Sequence, residues 1–340
     1  MSNLFKTIRI GNVEIKNRLV MPPMCMYSAD HQGNSQDFHL IHYSARAIGG
    51  IGLIILEATG VEDAGRITQH CLGLWNDKQL EGIKKIAYTT KSQGAAIGIQ
   101  LAHAGRKCDV GSVDEIYAPS QLAFSEKYRQ PKKMDKFDIQ RVVEAFGEAA
   151  GRAKIAGFDI VEVHAAHGYL LSSFLSPLAN KREDEYGGSY ENRARILGEV
   201  VSSIKSNFNG LIIVRISAKD YADFGNRPED LAKMINIVKN KGIDMLDISS
   251  GGVSANERRS IYPGYQLQLA ETIKKYSNLP VIAGGLLTSP HHMEEIISNN
   301  RADMVYVGRE LLRNPHFAFL AAKELRYALD LPSQYALSWV

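Results

Sequence analysis

"LIIVRISA", residues 211–218, is apolar at both alternating sets of positions apart from one arginine near its middle. A strand with one face in water alternates apolar and polar residues. A run that is apolar on both sets is buried on both faces, as in a parallel sheet covered by helices. Seven further runs read as strands of that sheet: "RLVMP" (18–22), "GLIILEA" (52–58), "AIGIQLA" (96–102), "FDIVEVHA" (158–165), "DMLDISS" (244–250), "PVIAGG" (280–285) and "DMVYVG" (303–308). Amphipathic helical segments separate them, at 39–49, 77–93, 138–156, 192–207, 228–240, 264–276, 289–299 and 315–329. Eight β/α units in about 300 residues fit a closed barrel. An open doubly wound sheet would want G-x-G-x-x-G after its first strand, and none follows "RLVMP". The expectation is an α/β chain forming a single (β/α)8 TIM barrel. It carries an N-terminal β-hairpin, "KTIRIGNVEI" turning at Gly11-Asn12, and an insertion after the third strand, about 103–137. Residues 1–340 are expected to form one domain.

Composition narrows the function classes. The 340 residues carry a formal charge of +3 spread along the chain, with 45% hydrophobic residues and a mean hydropathy of −0.18. No basic block invites nucleic acid or a membrane surface, and no apolar run approaches a membrane span. The N-terminus has no apolar signal core. Cys25, Cys71 and Cys108 are too few and too scattered for a disulfide framework or a metal cluster. A cytoplasmic protein with reduced thiols is expected.

In such a barrel the site forms at the C-terminal ends of the strands. Those ends read Pro22-Pro23-Met24-Cys25, Ala58, Gln100 with His103, His164 with His167 and Tyr169, Arg215, Ser249-Ser250-Gly251, Gly284-Gly285 and Gly308-Arg309. The rim reads as basic and rich in donors, with no cluster of carboxylates, which disfavours glycosidase chemistry. Glycines ending the seventh and eighth strands, the second before Arg309, suit a phosphate, although such glycines also serve plain turns. Arg215 keeps its charge inside an apolar run, so it wants either a buried carboxylate or an electron-rich ligand. Gln100 offers both a donor and an acceptor.

These residues strongly resemble the Old Yellow Enzyme family of flavin-dependent ene-reductases, or NADPH dehydrogenases. The resemblance runs nearly end to end through "NRLVMPPMCMYS", "QLAHAGR", "HAAHGYLLSSFLSPLANKREDEYGGSYENR", "VRIS", "AGG" and "VGREL". Cys25 followed by Met26-Tyr27, and the short chain, resemble the thermophilic-like branch. The resemblance implies non-covalent FMN across the barrel mouth, reduced by NADPH or NADH in a ping-pong cycle. It implies Pro22, Pro23, Met24, Cys25 and Ala58 along the flavin ring, Gln100 and Arg215 at its pyrimidine edge, and Gly285, Gly308 and Arg309 on the phosphate. His164 and His167 would hold the carbonyl oxygen of an activated alkene, and Tyr169 would protonate the α-carbon. Cys25 would tune the flavin, while Tyr27, Ala165 and Ala166 would complete the substrate pocket. A homo-oligomer, dimer or tetramer, is implied as well.

Two departures stand out. Pro22 replaces the Ser or Ala common in relatives, and Leu337 stands where an interface arginine is frequent, leaving Trp339 as a possible interface residue. The competing reading is a metal-dependent barrel hydrolase with His103, His164 and His167 as ligands. Arg106 and Lys107 read as surface or loop contacts, and His39 and His42 as structural residues of a helix.

Overall fold

The computed structural model describes the backbone of residues 2–339 and the side chains of 2–337, so Trp339 as an interface residue lies outside the described side chains. Eight parallel strands close into a barrel: β1 (Leu19–Met21), β2 (Leu53–Gly60), β3 (Ala96–Ala102), β4 (Ile160–Ala165), β5 (Leu211–Ser217), β6 (Met245–Ser249), β7 (Val281–Ala283) and β8 (Met304–Tyr306). Each strand pairs with its neighbours in sequence, and β8 pairs with β1 to close the ring. The helices of the wall run over Asp37–Ile48, Leu80–Ser92, Lys136–Ile155, Tyr190–Asn207, Pro228–Val238, Leu267–Ser277, Pro290–Ser298 and Phe317–Glu324. Each helix packs an apolar stripe against the outside of the strands. Ile139, Val142 and Phe146 of the third helix are fully or almost fully buried, and burying side chains of that size contributes about 1.5–3 kcal/mol apiece.

Caps set the helix starts. Asp135 accepts the Asp138 backbone N–H at 2.8 Å, which stabilises a helix start by about 1 kcal/mol. The sixth helix begins at Leu267 rather than 264, because Gly264 has φ +82°, outside the helical region. The second begins with a 3-10 turn over Asp77–Gln79, capped by Asn76.

The hairpin, Ile8–Ile10 against Val13–Ile15, floors the barrel. Its Ile10 and Ile15 pack with Val20, Leu53, Ile160, Leu211 and Met304 from the strands. The insertion after β3 holds a short parallel pair, Tyr117–Ala118 with Lys132–Lys133. The register of β2 against β3 shifts between Leu56 and Thr59. That bulge carries Glu57 and Ala58 and lets β2 run on to Gly60, two residues beyond the expected end. No helix among the described residues is long and apolar enough to cross a membrane.

Candidate active site

Strand register stacks polar side chains inside the barrel. Gln100 of β3 pairs with Glu162 of β4. His164 of β4 pairs with Arg215 of β5, and Arg215 with Asp247 of β6. Gln100 Nε2 donates to Glu162 Oε1 at 2.7 Å, and Arg215 Nε lies 3.2 Å from Asp247 Oδ2. The carboxylate-free rim expected from sequence is therefore corrected one layer down, where two acids flank the arginine. Burial and mutual repulsion push the Glu162 carboxyl far above the ordinary value, and burial raises Asp247 also. Arg215 Nε, Glu162 Oε2 and Asp247 Oδ1 make no hydrogen bond, so polar capacity is left over around the guanidinium.

Above this layer, a cavity of about 350 Å³ gathers Pro22, Pro23, Met24, Arg215, Gly285, Gly308 and Arg309. The sequence named all seven. It missed Ser249 as a site residue, and Arg259, Tyr265, Gln266, Tyr306 and Arg313, which share the cavity wall. Cys25, Ala58 and Gln100 do not line this cavity. Gly308 leaves room here: a Cβ built on it would reach only ordinary contact, Met24 Sδ at 3.7 Å and Pro22 Cγ at 3.9 Å. Gly285, at φ +102°, adopts a conformation that disfavours other residues. A recess lined by Arg259, Arg309, Arg313 and the Arg215 guanidinium, with Glu310 as its one acid and paired to Arg313, suits an electron-rich ring system ending in a phosphate. The residues fit FMN.

The second group sits at the end of β4. His164 and His167 hold their rings edge to face, centroids 5.2 Å apart, and the Tyr169 ring lies 4.9 Å from His164. Ala165 and Ala166 between them are buried. A backbone hydrogen bond fixes where the His164 proton sits. The Ala166 N–H donates to His164 Nδ1 at 3.3 Å, so a neutral His164 carries its proton on Nε2. His167 Nε2 lies 2.7 Å from Ser249 Oγ, and Gln266 Nε2 donates to that same oxygen at 3.3 Å. Tyr306 in turn donates to Gln266 Oε1. With the Ser249 hydroxyl donating to His167 Nε2, the His167 proton resides on Nδ1; the reversed bond, which the two lone pairs of that oxygen also allow, places it on Nε2. Burial, then the charges of Arg215 and Lys107, hold both imidazoles well below the ordinary histidine value. Burial pushes the Tyr169 phenol up, keeping it protonated. The result is two neutral imidazoles with one donor each beside an un-ionised phenol.

Of the surface or loop contacts expected for Arg106 and Lys107, the structure shows loop contacts, and inside the mouth rather than at the surface. Arg106 Nη2 donates to the Val253 carbonyl at 2.5 Å. Lys107 Nζ donates to the carbonyls of His167 at 2.8 Å and Gly252 at 2.6 Å. Gly168 and Gly252 stack backbone on backbone: a Cβ on Gly168 would sit 2.2 Å from Gly252 O, and one on Gly252 2.7 Å from His167 Cα. Partners about 60 and 145 residues distant bury this basic pair, which local sequence cannot reveal. Burial and the charge of Arg106 lower the Lys107 ammonium to about 8.

His103 is turned away from the other histidines. Its Nε2 lies 3.2 Å from Glu62 Oε2, and Arg141 grips the same carboxylate. Among the described residues no three His, Cys, Asp or Glu side chains are placed to hold a metal, so the hydrolase reading loses one of its three ligands. His39 and His42 are buried in the first helix, as expected.

Across the mouth, Cys25 and Tyr27 sit on the loop after β1. The Cys25 sulfur faces the Ala58 backbone and the Tyr27 hydroxyl, and burial with neighbouring Cys71 and Glu57 raises the thiol well above its ordinary value. The sequence reading missed Glu57, which anchors this loop. Its carboxylate accepts from the Met26 N–H at 2.9 Å and the Tyr43 hydroxyl at 3.1 Å. Leu337 is exposed near the C-terminus.

Comparison with known proteins gives the family. Residues 3–327 match the profile described as the NADH:flavin oxidoreductase / NADH oxidase family. The NADPH dehydrogenase of Geobacillus thermodenitrificans is 50% identical over 337 residues, covering 99% of this chain and 98% of that protein. An old yellow enzyme homologue from Zymomonas mobilis superposes with a TM-score of 0.81 at 26% identity, over 97% of this chain and 94% of that one. A 2-naphthoyl-CoA reductase in complex with 2-naphthoyl-CoA gives a TM-score of 0.90 at 26% identity over 95% of this chain. The chain spans about half of that larger one, 52%.

Proposed function

The chain belongs to the NADH:flavin oxidoreductase / NADH oxidase family and is an FMN-dependent NADPH oxidoreductase of the old yellow enzyme type; from that premise we propose that it reduces the C=C bond of α,β-unsaturated carbonyl compounds and nitro-activated alkenes. The observation that carries the substrate class is the convergence of two neutral imidazoles and a phenol at the end of β4. Bound FMN supplies the two-electron chemistry, hydride in from NADPH and hydride out to the alkene's β-carbon.

The chain's residues do the rest. Pro22, Pro23, Met24, Cys25 and Ala58 would line the ring, Gln100 and Arg215 its pyrimidine edge, and Gly285, Gly308 and Arg309 the phosphate. His164 Nε2–H and His167 Nδ1–H donate to the substrate's carbonyl or nitro oxygen. They draw electron density off the β-carbon and stabilise the negative charge that develops on oxygen. Neutral imidazoles suit this work, since they donate without ionising. Tyr169 gives its proton to the α-carbon, whose developing basicity exceeds that of the phenolate. Tyr27, Ala165 and Ala166 bound the pocket around the alkene. One mouth serves NADPH and alkene in turn, which gives a ping-pong cycle. Residues 1–340 act as one FMN-binding unit, assembled as a dimer or tetramer.

Anaerobic stopped-flow kinetics test the assignment. Tyr169→Phe keeps the ring and removes the hydroxyl. Flavin reduction by NADPH should stay within about twofold, while reoxidation by a cyclic enone slows roughly 10²–10⁴-fold, the range for losing a positioned acid. A nitroalkene should suffer less, because its nitronate persists without prompt carbon protonation. Equal slowing of both half-reactions would mean that this hydroxyl is not the proton donor.

A further inference from the structure

The loops after β5 and β6 border a second, open cavity, of about 760 Å³, which the proposed reaction leaves without a role. Lys219, Arg227 and Arg258 line it with a single carboxylate, Asp223. The other nearby acids already have partners, two of them through the Asn226 and Arg227 N–H groups of the cavity wall. Asp220 accepts from Ser176 and Asn226, Asp230 from Tyr190, and Glu257 pairs with Arg259. Among the described residues, none of the three cations forms an ion pair within 4.0 Å. Phe224 projects from the same loop, 95% exposed. The loop accepts backbone strain to present its rings: Tyr221 has φ 54° and Phe224 φ 61°, a region that bulky residues rarely occupy.

This cavity shares a wall with the mouth. Consecutive arginines divide between the two spaces, Arg258 facing this one and Arg259 the cavity that fits FMN. The Tyr221 hydroxyl donates to Ser250 Oγ at 3.3 Å, and Arg259 Nη1 donates to the Ser250 carbonyl at 2.9 Å. Ser249, one residue earlier, contacts His167.

We propose that this cavity receives the 2′-phosphoadenosine end of NADPH, with Lys219, Arg227 and Arg258 around the 2′-phosphate and Phe224 stacked on the adenine. The inference rests on the reading that NADPH delivers its hydride at the adjoining mouth. A phosphate monoester carries about −1.5 to −2 charges near neutral pH, where NADH has only a hydroxyl. Single exposed cations attract weakly. Three converging on one recess with little opposing charge concentrate the potential and discriminate between the two coenzymes. The aromatic face adds stacking that is common to both.

The test uses the FMN-loaded enzyme and two probes, 2′,5′-ADP and 5′-AMP. In Lys219→Ala/Arg258→Ala the KM for NADPH should rise roughly tenfold or more, as for lost charge-assisted bonds. NADH kinetics and the limiting rate of flavin reduction should change less than twofold, which also reports an intact fold. Calorimetry should show 2′,5′-ADP weakened by a similar factor and 5′-AMP nearly unaffected, whereas Phe224→Ala should weaken both. Arg258→Lys should retain most of the preference. An unchanged ratio of NADPH to NADH efficiency in the double variant would overturn the proposal. So would 2′,5′-ADP failing to compete with NADPH, or a changed oligomeric state with unchanged KM, which would assign the surface to subunit contact. Failure of the underlying reading looks different: NADPH would then not reduce the flavin of the unaltered enzyme at all.

Discussion

Glu57 ties the first βα loop to the barrel, and replacing it by glutamine should change how stability depends on pH. The carboxyl is fully buried, and burial outweighs its donors Met26 and Tyr43, raising it from 4.5 to about 7. The folded chain therefore holds this proton up to about pH 7, while the unfolded chain releases it near 4.5. Between those values the native state binds more protons, so this group's contribution is fully present below pH 4.5 and is lost as pH rises to about 7. At 1.36 kcal/mol per pH unit the interval corresponds to about 3 kcal/mol. Histidines of the adjoining helix act in the opposite sense. Burial lowers His42 to about 4, so its contribution is lost as pH falls through that value, and it is common to both proteins. Urea unfolding at pH 5, 6, 7 and 8, at fixed excess FMN, isolates the difference. Glu57→Gln cannot titrate, so its stability relative to the parent should improve by about 2.5 kcal/mol from pH 5 to pH 8, whatever the constant offset. Parallel curves would refute the burial argument.

Removing Arg215 should be costly for two separable reasons. Arg215→Met leaves Asp247 buried and unpaired, about 3–5 kcal/mol; adding Asp247→Asn should recover most of that stability without restoring FMN affinity, as read by urea midpoints and flavin fluorescence. Full flavin affinity in the double variant would remove Arg215 from the cofactor site. Cys25→Ala should shift the flavin reduction potential and leave turnover detectable, because a thiol against the ring alters its electronic surroundings without entering the bond changes. Abolished turnover with FMN bound and reducible would give the thiol an essential role. Ser249→Ala removes the hydroxyl 2.7 Å from His167 Nε2; with that hydroxyl as the donor, nitrogen NMR should find the Nδ1–H tautomer in the parent and a mixture in the variant. An Nε2–H tautomer in the parent would overturn the proton assignment.

What the sequence reveals depends on the range of the interaction. Eight strands and their helices were legible because periodicity is local. The glycines and the Arg215 position were legible because a charge or a missing side chain in an apolar run is conspicuous. Glu162 and Asp247 stand in the quoted strands "FDIVEVHA" and "DMLDISS", yet their pairing with Arg215 needs the register of three strands. Glu57 escaped because a bulge, invisible in residue type, decides where its side chain goes. Lys107, Arg259 and Gln266 escaped because their partners come from other βα loops. Loop residues of this kind look like solvated polar positions until the fold brings their partners to them.

The stacked glycines carry a lesson for anyone who wishes to broaden the range of molecules this catalyst accepts. Random mutagenesis treats every mouth loop as equally open territory, but residues 168 and 252 tolerate no carbon beyond Cα without parting two chain segments. Lys107 spans the same seam and holds both carbonyls together. A library that varies these three positions will spend its diversity on collapsed mouths. Tyr27 is a large, exposed ring on the loop after β1, away from this seam, so it is the place where shape can be rewritten while the donors at the end of β4 keep their aim. The most adaptable part of the mouth is its periphery, and its centre line is closed to change.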